Sequence, residues 1–187
     1  MIETERLILR RFRENDIDDF FEVSSNKKVC DMSGWIYVED KLSAQVILKH
    51  QIANPHEFAI VWKENNKVIG TIELKEYNKL FYKNMAIIDG AMELSYLLSE
   101  DYWGKGIIPE AINAMMDYGF NTLQVPQILA GYFVNNPQSK RVQEKTGFKE
   151  VGQIDYEFIL QNKTETFVQT SMTKEEYLER QKNMEKI

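Results

Sequence analysis

The sequence predicts a mixed α/β fold, formed by a single domain over residues 1–187 with a β-sheet flanked by helices. Segments in which apolar and polar residues alternate, as in half-buried strands, are interspersed with segments of helical apolar spacing. Neither an internal repeat, a low-complexity segment nor a linker is visible, and 187 residues suit one domain of ordinary core size.

The first element is a strand in "RLILRRF", where Leu7 and Leu9 share one face and Ile8 and Arg10 share the other. The stretch "ENDIDDFFEVSSN" follows with an Asn/Asp start signal and helical spacing. We interpret "SGWIY" as irregular. "VEDKLSAQVILKHQIANP" is a second predicted helix. Its expected inner side consists of Leu42, Val46, Ile47 and His50.

A hairpin is predicted next, with strands over 58–62 and 68–77 around a turn at Asn65-Asn66, which tolerates positive φ. "IIDGAMELSYLLS" supplies a central strand. The helix "PEAINAMMDYGFNTL" follows, with Pro109 expected at its first position. The residues expected to face inward on this helix are Ala111, Ile112, Met115 and Tyr118.

"VPQILAGYFV" is the next predicted strand, and "NNPQSKRVQEKTGF" is a short helix capped by Asn135 or Asn136 and ended by Gly147. The segment "KEVGQIDYEFILQNKTETFVQTSM" is expected to form a final hairpin. Thr173 and Glu176 have the spacing of a capping box, which indicates a terminal helix.

Composition excludes some function classes. A net charge of −6 disfavours nucleic acid as a partner and is compatible with cationic acceptors. The one cysteine, Cys30, shows no pairing motif with a histidine and is interpreted as structural, and no metal-ligand spacing is present. No apolar run approaches the ~18 residues of a membrane span. The charged N-terminus is unlike a signal peptide, so we expect a cytoplasmic protein.

The stretch "DYWGKGIIPEA" places Gly104, Lys105 and Gly106 between a strand and a helix. Amides at the start of a helix lack intrahelical acceptors and lie in positive potential, so such a loop suits a diphosphate. A tight strand-to-helix turn explains the glycines equally well on local sequence alone. A P-loop is absent, and Pro109 stands where a dinucleotide fingerprint needs its third glycine.

Two longer segments decide between these alternatives. "ELSYLLSEDYWGKGIIPEAINAMMDYGF" followed by "NNPQSKRVQEKTGFKEVG" resembles the GNAT N-acetyltransferase superfamily, and most closely its branch of ribosomal-protein N-terminal acetyltransferases. "IETERLILRRF" and "QTSMTKEEYLE" resemble that branch's first and last strands, so the resemblance spans nearly the whole chain. It implies a strongly twisted mixed sheet, split into a V between two central strands.

The resemblance also implies acetyl-CoA as donor and a primary amine as acceptor. We further expect a monomer or homodimer with no membrane partner. The diphosphate is expected on the glycine loop and the pantetheine arm on the preceding strand. The implied cofactor-binding residues are Leu97, Leu98, Ser99, Trp103, Gly104, Lys105, Gly106, Ile107, Ile108, Asn136 and Ser139. Trp35 and Tyr37, from the irregular stretch, are expected to line the acceptor site.

The chain departs from the superfamily at a position that bears on mechanism. Many members carry an acid tyrosine where this sequence has Gln143, which cannot protonate a thiolate. The branch resembled here offers a serine on the first turn of that helix, Ser139, which is either the acid or an ordinary helix-start residue.

Glu93 is the candidate general base, because a carboxylate within an apolar strand is costly unless it faces a cleft or a partner. The alternatives are an ordinary edge or solvent-facing position, a salt bridge to Arg6 or Arg10, and an enzyme with no dedicated base. The protein is thus predicted to be an N-acetyltransferase acting by direct attack of an amine, such as a protein N-terminal α-amine or a polyamine. A non-catalytic CoA-binding module with the same fold remains the alternative.

Overall fold

The computed structural model describes residues 1–158 and 163–184. The chain packs as two compact units, Met1–Leu74 with Ser95–Met115 and Lys75–Leu94 with Met116–Ile187. Each unit combines β-strands with α-helices, and parallel as well as antiparallel strand pairs occur, so the predicted mixed α/β class is confirmed. No helix among the described residues is long and apolar enough to cross a membrane.

The first unit contains an antiparallel run of strands in the order β1-β2-β3-β4, continued by the second half of β5. Helices fill the connections between β2 and β3 and follow β5. The elements are β1 (Ile2–Glu3), β2 (Leu7–Arg10), α1 (Ile17–Ser24), α2 (Lys27–Ser33), α3 (Lys41–Ala53), β3 (Glu57–Trp62), β4 (Lys67–Lys75), β5 (Met92–Leu98) and α4 (Ile107–Asp117).

Strand β2 confirms the alternation in the sequence, because Leu7 and Leu9 are completely buried while Ile8 and Arg10 are only partly so. The β3–β4 hairpin also forms as predicted, and Asn66 in its turn has φ 60°. An asparagine tolerates that left-handed conformation better than most residues. Local sequence therefore determines both the face of β2 and the position of this turn.

The predicted inner face of α3 is wrong at Leu42, Val46 and His50, which are exposed, whereas Ile47 is partly buried and packs against the core as expected. Leu42 is 72% exposed and Val46 is 55% exposed, whereas Ala44, Leu48 and Gln51 are buried. The helix starts where Asp40 accepts a hydrogen bond from the amide of Ser43, and its apolar residues spread around the axis rather than along one stripe. Tertiary packing, not the sequence pattern, therefore selects the buried side.

Helix α2 was not predicted. It begins where the side chain of Asn26 accepts from the amide of Val29, and it ends at Gly34, which has φ 70°. These are ordinary start and stop signals, but the helix has only seven residues and lies within a polar stretch. Only the part of "SGWIY" after Gly34 is irregular, as expected.

The second unit contains the start of β5, the strands that follow it in the order β6-β8-β7, and two helices. Strands β5 and β6 pair in parallel at Met92–Ile128 and Glu93–Leu129, while β8 pairs antiparallel with both β6 and β7. The elements are β6 (Gln127–Phe133), α5 (Pro137–Thr146), β7 (Lys149–Phe158), β8 (Lys163–Thr173) and α6 (Lys174–Met184).

The residues predicted to begin and end α5 and to begin α6 are confirmed. Asn136 caps α5, and Gly147 ends it with φ 86°. The capping box before α6 is reciprocal, since the amide of Thr173 donates to Glu176 at 2.8 Å and the amide of Glu176 donates to the Thr173 hydroxyl at 3.3 Å.

Candidate functional site

The glycine loop lies in the first unit, between β5 and α4. Gly104 has φ 75° and Gly106 has φ 73°, a conformation that costs other residues about 1–2 kcal/mol. A side chain at Gly104 would meet nothing within 4 Å, so backbone conformation rather than crowding requires the glycine. Helix α4 starts at Ile107, two residues earlier than expected, and Pro109 therefore stands within its first turn.

The amides of this loop lack acceptors in the part of the chain that the structure describes. The amide of Glu110 is the first to bond back, to the carbonyl oxygen of Gly106. Among the described residues, no acceptor is found for the N–H groups of residues 104–108; residues 104–106 are exposed, and Ile107 and Ile108 are buried. A row of open amides at a helix N-terminus is well suited to bind an anion.

The side chains of Lys105 and Trp103 donate to backbone carbonyl oxygens that precede the loop. The Lys105 ammonium donates to the carbonyl oxygen of Asp101 at 2.8 Å and lies 5.0 Å from the centre of the Tyr102 ring. The indole N–H of Trp103 donates to the carbonyl oxygen of Leu98 at 2.9 Å. Trp103 thereby fixes the end of β5, and Lys105 is an exposed cation beside the loop.

The end of β5 is the expected pantetheine strand. Leu97 and Leu98 are buried, and the amide of Ser99 donates to the carbonyl oxygen of Ile69 at 2.8 Å. The carbonyl oxygen of Ser99 in turn accepts from the amide of Tyr102. The amide of Ser99 is therefore engaged within the protein, whereas its carbonyl oxygen can accept a second hydrogen bond.

The two residues expected at the acceptor site lie between α2 and α3. Trp35 is partly buried and packs with Trp103 against a cluster that contains Leu97. Tyr37 is 42% exposed. The structure thus places Trp35 beside the end of β5, within the first unit, and Tyr37 on its surface.

Ser139 and Asn136 lie in the second unit at the start of α5. The side chain of Asn136 accepts from the amide of Ser139 at 3.0 Å, which is the predicted capping role. The Ser139 hydroxyl is partly buried and accepts from the side chain of Gln143 at 3.4 Å. Lys140 on the same turn lies 3.7 Å from Glu150, as expected for a solvated helix face.

Glu93, also in the second unit, accepts a hydrogen bond from the amide of Asn78 at 3.1 Å. Burial raises the pKa of the Tyr82 hydroxyl well above its usual value, and the neighbouring charge of Glu93 raises it further. Arg6 and Arg10 form ion pairs with Glu110 and Asp16, so the salt bridges considered for Glu93 are made with other carboxylates. Glu93 is a half-buried carboxylate beside a phenol.

Two buried glutamates in the first unit were not predicted from the sequence. Glu57 on β3 and Glu73 on β4 are directly paired across the strands, at 4% and 6% exposure. Glu57 accepts from Thr71 at 3.1 Å, and Glu73 accepts from Ser95 at 2.7 Å. The signal was a glutamate within each of two strands that are otherwise largely apolar, "EFAIVW" and "KVIGTIELK".

Cys30 is buried, and its burial raises the pKa of the thiol to about 11. Its sulfur lies 3.3 Å from the carbonyl oxygen of Ser24. A thiol of this kind is a poor nucleophile at neutral pH.

Within residues 1–158 and 163–184, no group of three or more potential ligands is placed to hold a metal ion.

The chain is similar to known acetyltransferases along most of its length. The Acetyltransferase (GNAT) domain model matches residues 6–149. The uncharacterized N-acetyltransferase p20 of Bacillus licheniformis is 30% identical over 162 residues, which cover 82% of this chain and 85% of that protein. The spermidine N(1)-acetyltransferase of Vibrio cholerae is 25% identical over 178 residues, 94% of this chain and 97% of its own.

The solved structure of spermidine N-acetyltransferase from Vibrio cholerae in complex with CoA and spermine has the same fold, with a TM-score of 0.76 at 22% identity. The match covers 94% of this chain and 99% of that one. These relatives do not single out the ribosomal-protein branch that the sequence resembles. The family model and the relatives establish that this chain belongs to the GNAT acetyltransferase family and is an N-acetyltransferase.

Proposed function

We propose that the enzyme transfers the acetyl group of acetyl-CoA directly to a primary amine, and that the glycine loop binds the diphosphate of the donor. The observation that carries this proposal is the row of N–H groups at residues 104–108, which have no acceptor within residues 1–158 and 163–184. Positive φ at Gly104 and Gly106 maintains the loop, and the exposed ammonium of Lys105 adds positive charge beside it. A diphosphate matches both the charge and the hydrogen-bonding capacity of this loop.

The reaction follows from the chemistry of amines and thioesters. A neutral amine attacks the thioester carbonyl carbon, the new C–N bond forms, and the C–S bond breaks. The amine loses a proton and the departing thiolate gains one. We assign the first transfer to Glu93, directly or through water, and the second to the Ser139 hydroxyl. The raised pKa of the Cys30 thiol is consistent with a route that needs no acetylated cysteine.

The proposal also concerns which kind of amine accepts the acetyl group. Some of the relatives that match most of this chain are named spermidine N(1)-acetyltransferases. The net charge of −6 also favours a cationic substrate. We therefore infer a small cationic amine of the polyamine type as the first acceptor to test. Peptides with a free N-terminal α-amine are the second, because the sequence resembles the ribosomal-protein branch.

A test separates these acceptors from the non-catalytic alternative. Purified protein is mixed with acetyl-CoA and either spermidine or an N-terminal alanine or serine peptide, and the release of free thiol is followed. Amine-dependent thiol release supports the enzyme and identifies its acceptor. Tight CoA binding by calorimetry without turnover on any amine would favour a sensor module, and absence of CoA binding would reject both.

The role of Ser139 has its own test. Ser139→Ala keeps the backbone N–H that Asn136 caps, so the start of α5 is preserved. We expect kcat to fall by about 10²-fold, the lower range for a proton donor, with CoA affinity nearly unchanged. Gln138→Ala, on the exposed side of the same turn, is the control. An unaltered kcat for Ser139→Ala removes the serine from the mechanism.

A further inference from the structure

Arg6, immediately before β2, and Glu110, in the first turn of α4, are joined by several hydrogen bonds. The Arg6 Nε atom donates to the Glu110 carboxylate at 2.7 Å, and its Nη2 atom lies 2.7 Å from the same oxygen. The other carboxylate oxygen accepts from the Arg6 amide at 2.9 Å and from the Thr4 hydroxyl. This pairing fixes the guanidinium beside the glycine loop.

The remaining guanidinium nitrogen reaches the loop itself. Arg6 Nη1 donates to the carbonyl oxygen of Lys105 at 2.8 Å. A trans peptide is planar, so the N–H of Gly106 points away from the carbonyl oxygen of Lys105. Holding that oxygen toward Arg6 therefore turns the Gly106 N–H to the opposite side. Gly106, on one side of this peptide, allows it to flip more readily than another residue would, so an external anchor favours one orientation.

The ion pair also neutralises the negative charge that Glu110 places at the start of α4. Glu110 is a carboxylate within the first turn of α4, where it would repel a diphosphate if it were left uncompensated. Burial raises its pKa, but the hydrogen bonds from Thr4 and Arg6 outweigh burial and lower the pKa below its usual value. Glu110 is thus ionised at neutral pH and neutralised by Arg6. The Arg6 guanidinium lies over the Trp62 ring, with its Cζ atom 5.9 Å from the ring centre.

We propose that Arg6 is the positioning residue of the donor loop: anchored by Glu110, it holds the Lys105–Gly106 peptide so that the Gly106 amide is oriented for the diphosphate. The inference rests on the proposed use of acetyl-CoA. A lysine at this position retains the charge but offers a single nitrogen, so it cannot bind Glu110 and the Lys105 carbonyl in the same fork geometry.

The experiment compares Arg6→Lys with Arg10→Lys. Arg10 is a matched control because it makes an equally close two-point pair with Asp16, both bonds being 2.7 Å, without touching the loop. CoA affinity is measured by calorimetry, and KM for acetyl-CoA, kcat and urea unfolding are measured alongside. For Arg6→Lys we expect Kd and KM to rise about 10- to 100-fold, with kcat at saturation nearly unchanged.

Arg10→Lys is expected to lower the unfolding midpoint while leaving CoA affinity as in the wild type. A truncated donor, S-acetylpantetheine, lacks the diphosphate, so its kcat/KM should be the same for Arg6→Lys and wild type. CoA affinity that is unchanged in Arg6→Lys overturns the positioning role, as does an equal loss of kcat/KM with the truncated donor. Failure of the wild type to bind CoA at all would instead reject the proposed function.

A second variant covers the case in which Arg6→Lys does not fold. Glu110→Gln keeps an acceptor for the Arg6 amide and leaves Arg6 able to reach the Lys105 carbonyl, but it loosens the anchor. We expect an intermediate loss of CoA affinity, together with faster hydrogen exchange at the Gly106 amide in the CoA complex. Wild-type affinity in Glu110→Gln combined with wild-type exchange contradicts the anchoring.

Discussion

The side-chain nitrogen of Gln143 donates to the carbonyl oxygen of Gly131 at 2.8 Å. Its side-chain oxygen accepts from the Thr170 hydroxyl at 2.6 Å, and the residue is only 1% exposed. Gln143 therefore ties α5 to β6 and β8. The position at which many family members carry an acid tyrosine serves a structural purpose here, which explains why the sequence can lack that tyrosine without a gap in the core.

Replacing Gln143 by leucine should destabilise the protein. The change removes this partner from the partly buried Gly131 carbonyl and the buried Thr170 hydroxyl, at up to about 1–3 kcal/mol for each group. We expect the free energy of unfolding to fall by about 2–5 kcal/mol in urea titrations. Gln138→Leu, on the exposed side of α5, should stay within about 0.5 kcal/mol of wild type. Equal stability of the two variants would contradict the structural role.

Gly104→Ala tests the backbone conformation of the loop. Alanine at φ 75° costs about 1–2 kcal/mol, so the loop is expected to relax and its amides to lose their alignment. CoA affinity measured by calorimetry should drop about 5- to 30-fold. Gly90→Ala introduces similar strain at φ 85°, outside the loop, and should leave the affinity unchanged. The same affinity in all three proteins would show that the loop does not bind the donor.

Glu93→Gln tests the general base. Glutamine still accepts from the Asn78 amide, so the fold should be retained while the ability to take a proton is lost. We expect kcat/KM for the amine to fall about 10²-fold or more at neutral pH, with CoA affinity preserved. Tyr82→Phe, which keeps the carboxylate, should lose much less activity. If Glu93→Gln acts at the wild-type rate, water or the acceptor's own equilibrium supplies the free amine.

The raised pKa of Cys30 predicts a pH dependence. The folded thiol stays protonated below about pH 11, whereas the unfolded thiol ionises near its ordinary pKa of 9.0. Stability from this group is therefore complete below pH 9 and declines as the pH rises toward 11. Cys30→Ser should remove this decline in a series of thermal melts from pH 7 to 11. Ellman's reagent should label native protein slowly at pH 8 and rapidly after unfolding; rapid labelling of native protein would disprove the inert thiol.

Much of the fold was accessible from local signals. Asn66, Gly147 and the Thr173–Glu176 box each meet a conformational or hydrogen-bonding need within a few residues, so sequence patterns locate them. The glycine loop was found for the same reason, since positive φ and open amides are local properties.

The missed features depend on packing or on distant contacts. The buried side of α3 is chosen by what it packs against, and its apolar residues do not form a single stripe that would reveal the choice. Arg6 and Glu110 are 104 positions apart in the sequence, and no local sequence pattern around either residue predicts that they form an ion pair. Gln143 could be excluded as an acid from its chemistry, but its partners Gly131 and Thr170 came only from the structure.

The N–H groups at residues 104–108, for which the described residues provide no acceptor, have a practical consequence for any solution measurement. Donors that suit a diphosphate also suit inorganic phosphate, sulfate and pyrophosphate, which are common components of purification and assay buffers. Each such ion is a competitor for the donor thioester, so apparent Michaelis constants should depend on the buffer anion, and pyrophosphate should inhibit more strongly than monovalent salts at equal ionic strength.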